Sequence, residues 1–265
     1  MATSKAERFR LNNREELLAR VAALEPWFYT FDLGHGNVIQ SKLPENVQGI
    51  HETRLQMLMR AIEKHFGNRL PDARCLDIGC HEGFFSLEMA KKVTSVRGID
   101  VRSESLEKAE LVRQLKAVEN LTFCYGDCYD LDKYISDSYD LTLFLGVLYH
   151  LSDPIAALRS ISKVTQELCV IETQVIEDVA GETEWGSKDW NHEYKGIFAL
   201  IDETPEYDSG CPEAGSSGLV LCPSVHALLF TLRAVGFKHL EVITAPMGGY
   251  EQHVRGKRVV ISAAK

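Results

Sequence analysis

One short run joins an acid to two glycines where a predicted strand meets a helix: Asp77-Ile78-Gly79-Cys80-His81-Glu82-Gly83. Gly79 permits a sharp turn and a close approach of a ligand to the backbone, because it has no side chain. Ligands of open parallel sheets bind beyond the carboxyl ends of the strands, where this loop is expected. We therefore predict that Asp77, Gly79, Cys80 and Gly83 bind a ligand. An ordinary turn that happens to contain two glycines is the alternative.

The spacing of these glycines differs from that of a dinucleotide-binding loop. A G-x-G-x-x-G fingerprint needs a middle glycine, and His81 occupies that position here. The carboxylate of Asp77 would repel a pyrophosphate, but it suits a cationic group such as the ammonium of a methionine moiety. The loop therefore favours S-adenosylmethionine, a sulfonium nucleoside, over a nicotinamide dinucleotide.

Two further acids follow the next predicted strands. Asp100 ends the second strand, about 20 residues after the loop, and an acid there can accept both ribose hydroxyls of a nucleoside. Asp127 and Cys128 follow the third strand, where Asp127 could accept from an adenine amino group. The alternatives are a helix-capping role for Asp100 and a turn role for Asp127. Together these residues extend the predicted cofactor site.

The fourth predicted strand ends in a segment with a second set of candidates. Gly146 lets the chain pass close to a cofactor, and Tyr149 and His150 follow it. A histidine here could take a proton from a substrate hydroxyl or amine. We predict His150 and Tyr149 as catalytic, and Gly146 and Tyr149 as cofactor contacts. A purely structural histidine is the alternative.

These residues need a regular framework to hold them. Strands are predicted at residues 74–78, 95–100, 121–125, 140–145 and 168–173, alternating with helices that include 154–164. Two closing strands, 239–244 and 258–263, are joined by a short link and should be antiparallel. The predicted fold is α/β: a Rossmann-like, doubly wound, seven-stranded and mostly parallel sheet with an antiparallel last strand.

Two segments stand outside the alternation. Residues 1–50 are predicted as an N-terminal helical and aromatic extension, with a helix at 14–24 capped by Asn12 or Asn13. A second helix is predicted at 52–66, within the domain that spans 51–265. Residues 177–222 show little regular pattern and are predicted as a lid. Its Trp185, Trp190 and His192 could wall off an acceptor, or pack on one another beneath the loop.

Composition limits the classes of protein that fit. The formal net charge of −9 does not favour nucleic acid as a partner, although an acidic protein can carry a local basic groove. None of the seven cysteines forms a C-x-x-C pair, and no metal-ligand cluster is evident, so we expect no metal. No apolar run is long enough for a membrane span and no signal peptide is evident. We expect a cytoplasmic protein with buried, reduced thiols.

The loop at Asp77, the acid Asp100 and the strand order resemble class I S-adenosylmethionine-dependent methyltransferases. Three segments resemble the group around the bacterial tRNA wobble-uridine carboxymethyltransferase: 146–150, 171–176 and 257–261. Residues 27–34 also resemble the segment that precedes the domain in that group. The resemblance implies that Tyr149 and Arg258 match residues that bind a carboxylated cofactor there. The lysine that completes that site is absent after Pro26-Trp27, which implies ordinary S-adenosylmethionine as cofactor.

The prediction from the sequence is a methyltransferase that transfers a methyl group from S-adenosylmethionine to a small-molecule acceptor, at oxygen. One alternative is an RNA-directed enzyme that modifies a wobble uridine, supported by a basic patch. That patch comprises Arg97, Arg102, Lys108, Arg113 and Lys116. The others are a non-catalytic partner subunit with the same fold and a nicotinamide oxidoreductase.

Overall fold

The computed structural model describes residues 5–209, 215 and 217–265, with side chains from residue 14 onward. The helices, in chain order, are α1 (Lys5–Ala23), α2 (Glu45–Phe66), α3 (Phe84–Ala90), α4 (Ser103–Leu115), α5 (Pro154–Val164), α6 (Thr204–Asp208), α7 (Val225–Ala234) and α8 (Glu251–Val254). The strands are β1 (Phe31–Asp32), β2 (Val38–Ile39), β3 (Arg74–Ile78), β4 (Ser95–Asp100), β5 (Leu121–Tyr125), β6 (Tyr139–Leu145), β7 (Thr165–Gln174), β8 (Ala180–Glu182), β9 (Glu193–Lys195), β10 (Phe198–Asp202), β11 (Leu219–Pro223), β12 (His239–Ile243) and β13 (Arg258–Ala264).

The central sheet has seven strands in the order β12-β13-β7-β6-β3-β4-β5. Strands β3 to β7 run parallel, whereas β13 is antiparallel to both β7 and β12. The predicted fold class is confirmed. The strand order reverses between β3 and β6, which lie side by side. In such sheets the crevice outside the carboxyl ends of these two strands is where ligands bind.

Two apolar cores cover the faces of the sheet. One contains Met57 and Leu58 of α2 together with Phe85 and Leu111, and it also takes in Trp27 of the N-terminal segment. The other includes buried residues from β6, α5 and α7. The N-terminal aromatic residues therefore share the core of the helices that flank the sheet. None of the described helices is long and apolar enough to cross a bilayer.

Most central elements match their predicted bounds, although β7 extends beyond the predicted 168–173, and the larger differences lie at the periphery. The strands at 74–78, 95–100 and 121–125 and the helix at 154–164 are observed as predicted. Helix α1 begins earlier than predicted, at Lys5, so Asn12 and Asn13 lie inside it rather than at its cap. Residues 5–11 are mostly good helix formers, which explains the extension. Helix α2 likewise begins earlier, at Glu45 directly after Pro44.

The predicted lid has more regular structure than its sequence suggests. Strands β8 and β9 form one antiparallel pair, and β10 and β11 form another. The second pair joins segments on either side of a turn-rich stretch, so local sequence does not show the pairing. Helix α7 starts at Val225, directly after this pair of strands. Pro223 ends β11, and the Ser224 hydroxyl accepts from the Ala227 amide as a cap.

Candidate active site

The glycine loop follows β3 at the switch point of the sheet. Gly79 has a φ of 71°, and a Cβ there would lie 2.4 Å from Cγ2 of Val147, in the loop after β6. A side chain is thus excluded both by conformation and by this contact. Gly83 also has positive φ and lies against Phe123. The loop is consequently held close to the segment that follows β6 and to strand β5.

The amides of this loop are used within the protein. Gly79 and Cys80 both donate to the carbonyl of Ile99, at 2.8 and 3.0 Å. The His81 amide donates to Oδ2 of Asp100 at 2.8 Å. Each of these three amides therefore already has an acceptor within the protein. A ligand here must be recognised mainly by side chains.

Asp77 lies at the base of the crevice with 2% of its surface exposed. Its Oδ2 accepts a hydrogen bond from the Ser86 hydroxyl at 2.5 Å. Burial raises the pKa of Asp77 to about 7, and the nearby Asp100 adds to this, while the Ser86 hydrogen bond opposes it. A cation placed beside this carboxylate would relieve the cost of its burial.

Asp100 ends β4 and is also buried. Its Oδ2 accepts from the His81 amide and its Oδ1 from the Arg102 amide, at 2.8 and 2.9 Å. Burial raises the pKa of this carboxyl, and the two amides oppose the rise. Each oxygen keeps a further lone pair, so the anchored carboxylate can still accept from a ligand hydroxyl.

Asp127 and Cys128 lie in the turn that follows β5. Oδ1 of Asp127 accepts from the Tyr129 amide at 2.9 Å, a hydrogen bond typical of an aspartate in a turn. Cys128 is buried, and burial raises its thiol pKa to about 12. The assignment of these two residues to a cofactor site stays a prediction.

A buried polar group on α2 faces the same crevice. Gly146, after β6, has a φ of 74°, and a Cβ there would lie 3.5 Å from Nη1 of Arg54. Arg54 is buried, and its Nε has no hydrogen-bond partner among the described residues. One turn earlier, both ring nitrogens of buried His51 also lack a partner in the described part of the chain. Burial, aided by Arg54, lowers the pKa of His51 to about 3, so the ring is neutral.

Glu172, near the end of β7, is fully buried and organises a network of basic side chains. Its Oε2 lies 3.3 Å from Nη2 of Arg54, and its Oε1 lies 3.0 Å from Nη1 of Arg258 and 3.2 Å from Nε2 of His253. Burial alone would raise the pKa of Glu172, but the two arginines hold it below its usual range. The carboxylate is ionised, and two arginines share it.

Arg258 connects this network to Tyr149. Its Nη2 donates to the Tyr149 hydroxyl at 2.8 Å, and its guanidinium lies 4.8 Å from the centre of the tyrosine ring. Its Nε donates to Oε1 of Gln252. The structure brings the predicted residues Tyr149 and Arg258 together, and the fixed arginine donor leaves the tyrosine hydroxyl proton free to point elsewhere.

His150 pairs with a carboxylate that comes from the lid. Its Nδ1 lies 3.1 Å from both carboxylate oxygens of Glu203, which follows β10. Burial lowers the pKa of His150, and Glu203 opposes this. A carboxylate on Nδ1 favours the tautomer in which Nδ1 carries the proton and Nε2 is the basic nitrogen. Such a pair has the form of an oriented general base.

Glu82 attaches the N-terminal segment to the glycine loop. Its carboxylate is buried and accepts from the amides of Phe28 and Tyr29, at distances between 2.8 and 3.1 Å. Lys108 donates to the same carboxylate at 3.0 Å. Tyr29 then lies beside His51, with ring centres 4.5 Å apart. The segment covers the loop on the side of α2.

A cavity of about 290 Å³ opens beside Tyr149 and beneath the lid strands β10 and β11. Ten residues line it: Tyr149, Gln174, Val175, Ile176, Ile201, Glu203, Val220, Cys222, Gln252 and Lys257. The predicted acceptor residues Trp185, Trp190 and His192 are not among them. Both tryptophans are about two-thirds exposed, at 64% and 67%. The structure does not bring these three to the cavity, and their role as substrate contacts stays a prediction.

Sequence reasoning missed His51, Arg54, Glu82 and the partnership of Glu203 with His150. His51 and Arg54 lie on one face of α2. Two polar residues within the apolar stripe of that helix could have indicated a buried polar site. Glu203 carries no local signal, because its partner is far away in sequence. The described residues contain no group of three or more metal-ligating side chains.

Known proteins with a similar sequence or fold can be compared with this geometry. Ubiquinone biosynthesis O-methyltransferase of Vibrio campbellii is 31% identical over 111 residues, covering 42% of this chain and 45% of that protein. tRNA U34 carboxymethyltransferase of Sulfurimonas denitrificans is 30% identical over 122 residues, covering 42% and 37%. The chain thus spans less than half the length of these curated relatives.

A solved structure covers nearly the whole chain. The N-terminal domain of EvdMO1, crystallised in the presence of SAH and D-fucose, is 25% identical with a TM-score of 0.66, covering 95% of this chain and 97% of that one. The family described as methyltransferase domain matches residues 70–214, from just before β3 into the lid. More than half of the sequence lies within that match, and the chain belongs to the methyltransferase domain family.

Proposed function

We propose that this protein transfers a methyl group from S-adenosylmethionine to an oxygen of a small-molecule acceptor. One observation carries the proposal: the crevice at the switch point holds a buried acid, Asp77, and unpartnered basic atoms on α2. The acid suits an ammonium group, whereas Arg54 and the neutral ring of His51 suit a carboxylate. A methionine moiety carries both groups. Asp100 would accept from the ribose hydroxyls.

The residues present fit the cofactor, since three polar atoms buried beside the crevice have no partner among the described residues: Nδ1 and Nε2 of His51 and Nε of Arg54. Bound there, S-adenosylmethionine supplies a sulfonium methyl group to an oxygen nucleophile, and the electron pair of the broken S–C bond stays on sulfur. His150 takes the proton of the acceptor hydroxyl on Nε2. Glu203 fixes the ring and stabilises the imidazolium that results.

The comparisons support oxygen as the accepting atom. The relative from Vibrio campbellii is named as an O-methyltransferase, and the EvdMO1 domain was crystallised with a sugar that carries hydroxyl groups. An oriented histidine–carboxylate pair beside the cavity suits a hydroxyl, because deprotonation increases its nucleophilicity. Methyl transfer otherwise needs chiefly alignment and exclusion of water.

RNA modification is less well supported by the contacts of the basic patch. Lys108 is paired with Glu82, Arg113 donates to Glu110, and Lys116 donates to the carbonyl of Asp32. Arg97 donates to the carbonyl of Tyr134. These cations hold the protein together, so few of them face outward to neutralise phosphates. Binding of a tRNA anticodon stem-loop that weakens steeply with salt would favour this alternative.

The division of the chain follows from the same proposal. We propose residues 1–50 as an extension that covers the cofactor through Glu82, and residues 51–265 as the methyltransferase domain. Within it, residues 177–222 form a lid that supplies Glu203. The exposed end of the lid carries Trp185, Trp190 and His192. These side chains would contact an acceptor only after that end of the lid moves.

Titration calorimetry with S-adenosylmethionine tests the cofactor site. We expect binding by the wild type and a loss of at least about 100-fold in Asp77→Asn, which removes the charge but keeps the shape. Asp137→Asn, a change of an exposed acid that pairs with Arg74, is the matched control and should bind normally. Failure of the wild type to bind would overturn the proposal and favour a non-catalytic subunit.

Transfer of a labelled methyl group to extracts or acceptor libraries tests the reaction. We expect His150→Gln to lower kcat by about 10²–10⁴-fold with cofactor affinity unchanged. Since burial lowers the pKa of His150, the wild-type kcat, measured at saturating cofactor, should stay constant through the ordinary histidine range and fall only at lower pH. Full activity in His150→Gln would exclude this residue as the base.

A further inference from the structure

The cavity beneath the lid offers hydrogen bonds that the protein itself does not use. The amide of Gln174 lines the cavity and has no side-chain hydrogen-bond partner in the described part of the chain. The oxygen of Gln252 is occupied by Arg258, which directs the amide hydrogens of Gln252 away from the arginine. The hydroxyl of Tyr149 accepts from Arg258 and keeps its own proton. Three neutral polar groups therefore face the same space.

The remaining walls are aliphatic rather than aromatic. Val175, Ile176, Ile201 and Val220 line the cavity, and Tyr149 contributes its only aromatic ring among the described residues. The exposed tryptophans of the lid lie outside it. A flat aromatic acceptor gains most from stacking between rings, and this cavity provides few. Its walls suit a puckered ring that offers both C–H and O–H groups.

The charges at the cavity leave the carboxylate of Glu203 without a cationic partner. Lys257 is ion-paired with Glu177, and Glu203 is shared by His150 and the Gly215 amide. The side chain of Lys257 is half-exposed, so this ion pair lies at the mouth rather than in the depth of the cavity. An anion would be buried beside the carboxylate of Glu203 without a counter-charge, so a neutral acceptor fits the interior better than an anion.

Size limits the acceptor as well. The volume of about 290 Å³ lies near the lower end of the range of roughly 300–1,000 Å³ for ligand pockets. A single ring with small substituents can be enclosed, whereas a long apolar tail would have to leave through the mouth, past Lys257 and Glu177.

We propose that the acceptor is a neutral, hydroxyl-rich ring of the sugar or cyclic polyol class, held by Gln174, Gln252 and Tyr149 with one hydroxyl at His150. This inference rests on the proposed function and specifies its substrate. A site built around hydrogen bonds discriminates strongly against analogues that lack the hydroxyls, because its buried polar groups would then be unpaired. Simple phenols should accordingly bind weakly.

Ligand-observed NMR titration in the presence of saturating SAH tests the inference. The probes are D-fucose, a small set of methyl pyranosides, and catechol as the flat aromatic comparison. We expect at least one hydroxylated pyranose to bind more tightly than catechol. Gln174→Leu should raise its Kd about fivefold to tenfold, the loss expected for one hydrogen bond.

Gln166→Leu is the matched control, because the exposed Gln166 lies near the opposite end of the same strand, β7, and its side chain bonds to Ser138, away from the cavity. It should leave the Kd of the pyranose unchanged. Three results would overturn the inference while leaving the proposed function intact. They are tighter binding of catechol than of every pyranose, no binding of any pyranose, and an unaltered Kd in Gln174→Leu. Failure of SAH itself to bind would overturn both.

Discussion

Two buried carboxylates lie at the carboxyl edge of the sheet, and their surroundings make them opposite in character. Asp77 in β3 has one neutral donor, the Ser86 hydroxyl, and its pKa rises to about 7. Glu172 in β7 lies between Arg54 and Arg258, and its pKa lies below the usual range. Both are almost completely inaccessible to water.

The difference shows that burial alone does not decide the charge of an acid. Desolvation raises the pKa of both groups, and only the arginines beside Glu172 outweigh it. The charge of Glu172 is already countered by two arginines. Asp77 lacks a cation, which identifies it as the acid that a cationic ligand would stabilise.

The largest expected effect is on Glu172. Glu172→Gln should lower the free energy of unfolding by about 3–5 kcal/mol, because two buried guanidinium groups lose their counter-charge. Urea unfolding followed by circular dichroism measures it. Glu167→Gln, in the same strand but partly exposed and paired with Arg69, should cost less than about 1 kcal/mol. Equal losses in both variants would contradict the comparison.

The affinity for S-adenosylmethionine should depend on pH through Asp77. The bound ammonium stabilises the ionised acid, so binding releases a proton wherever free Asp77 is protonated. Below a pH of about 7, affinity should fall by up to about tenfold for each pH unit. Calorimetry in buffers of different ionisation enthalpy detects the proton. Affinity independent of pH between 5 and 8 would show that Asp77 is already charged in the free protein.

Asp77→Asn should change how stability depends on pH. The pKa of Asp77 is higher in the folded state, about 7, than its ordinary 3.8, so the folded protein binds more protons between these values. Its contribution to stability is present below about pH 4 and is lost as pH rises through 7. The asparagine variant should lack this loss and be more stable at pH 8, on the order of 1–3 kcal/mol. The midpoints of urea unfolding, measured for the wild type and the variant at several pH values, test this prediction.

The smallest effect is expected from Ser86→Ala. Removing the hydroxyl takes away the group that most opposes the rise in the pKa of Asp77, so this pKa should increase further. Stability at pH 8 should fall by about 1 kcal/mol, whereas at pH 5, with the acid protonated, the loss should be smaller. An equal loss of stability at both pH values would show that the effect of the Ser86 hydroxyl does not depend on the charge of Asp77.

Much of the fold was predictable from the sequence, since its central strands are short apolar runs bounded by polar turns. The runs at 74–78, 95–100 and 121–125 have the bounds predicted from the pattern alone. The pairing of β10 with β11 was not predictable, because its partners are separated by a long turn-rich stretch. The start of α1 was misplaced because Asn12 and Asn13 look like caps but lie within a strong helical sequence.

The candidate site likewise contains residues that could be predicted from the sequence and residues that could not. Asp77 and Asp100 lie at the carboxyl ends of strands and Gly79 directly follows one, so their order along the chain gives their positions at the sheet edge. His51 and Glu203 come from elements whose placement depends on tertiary packing, and no local pattern shows what they face. The sequence likewise did not show that the Gly79 and Cys80 amides donate within the protein, because their acceptor, the carbonyl of Ile99, belongs to a neighbouring strand.

The position of Glu203 on the lid has a consequence for the order of events in the proposed enzyme. The carboxylate that fixes His150 follows strand β10, so a lid that swung away to exchange acceptor and product would also release the imidazole. Base assembly and substrate exchange then exclude each other. The proton acceptor would be oriented only while the cavity is shut, so no aligned base would activate a water molecule against the methyl donor while the lid is open.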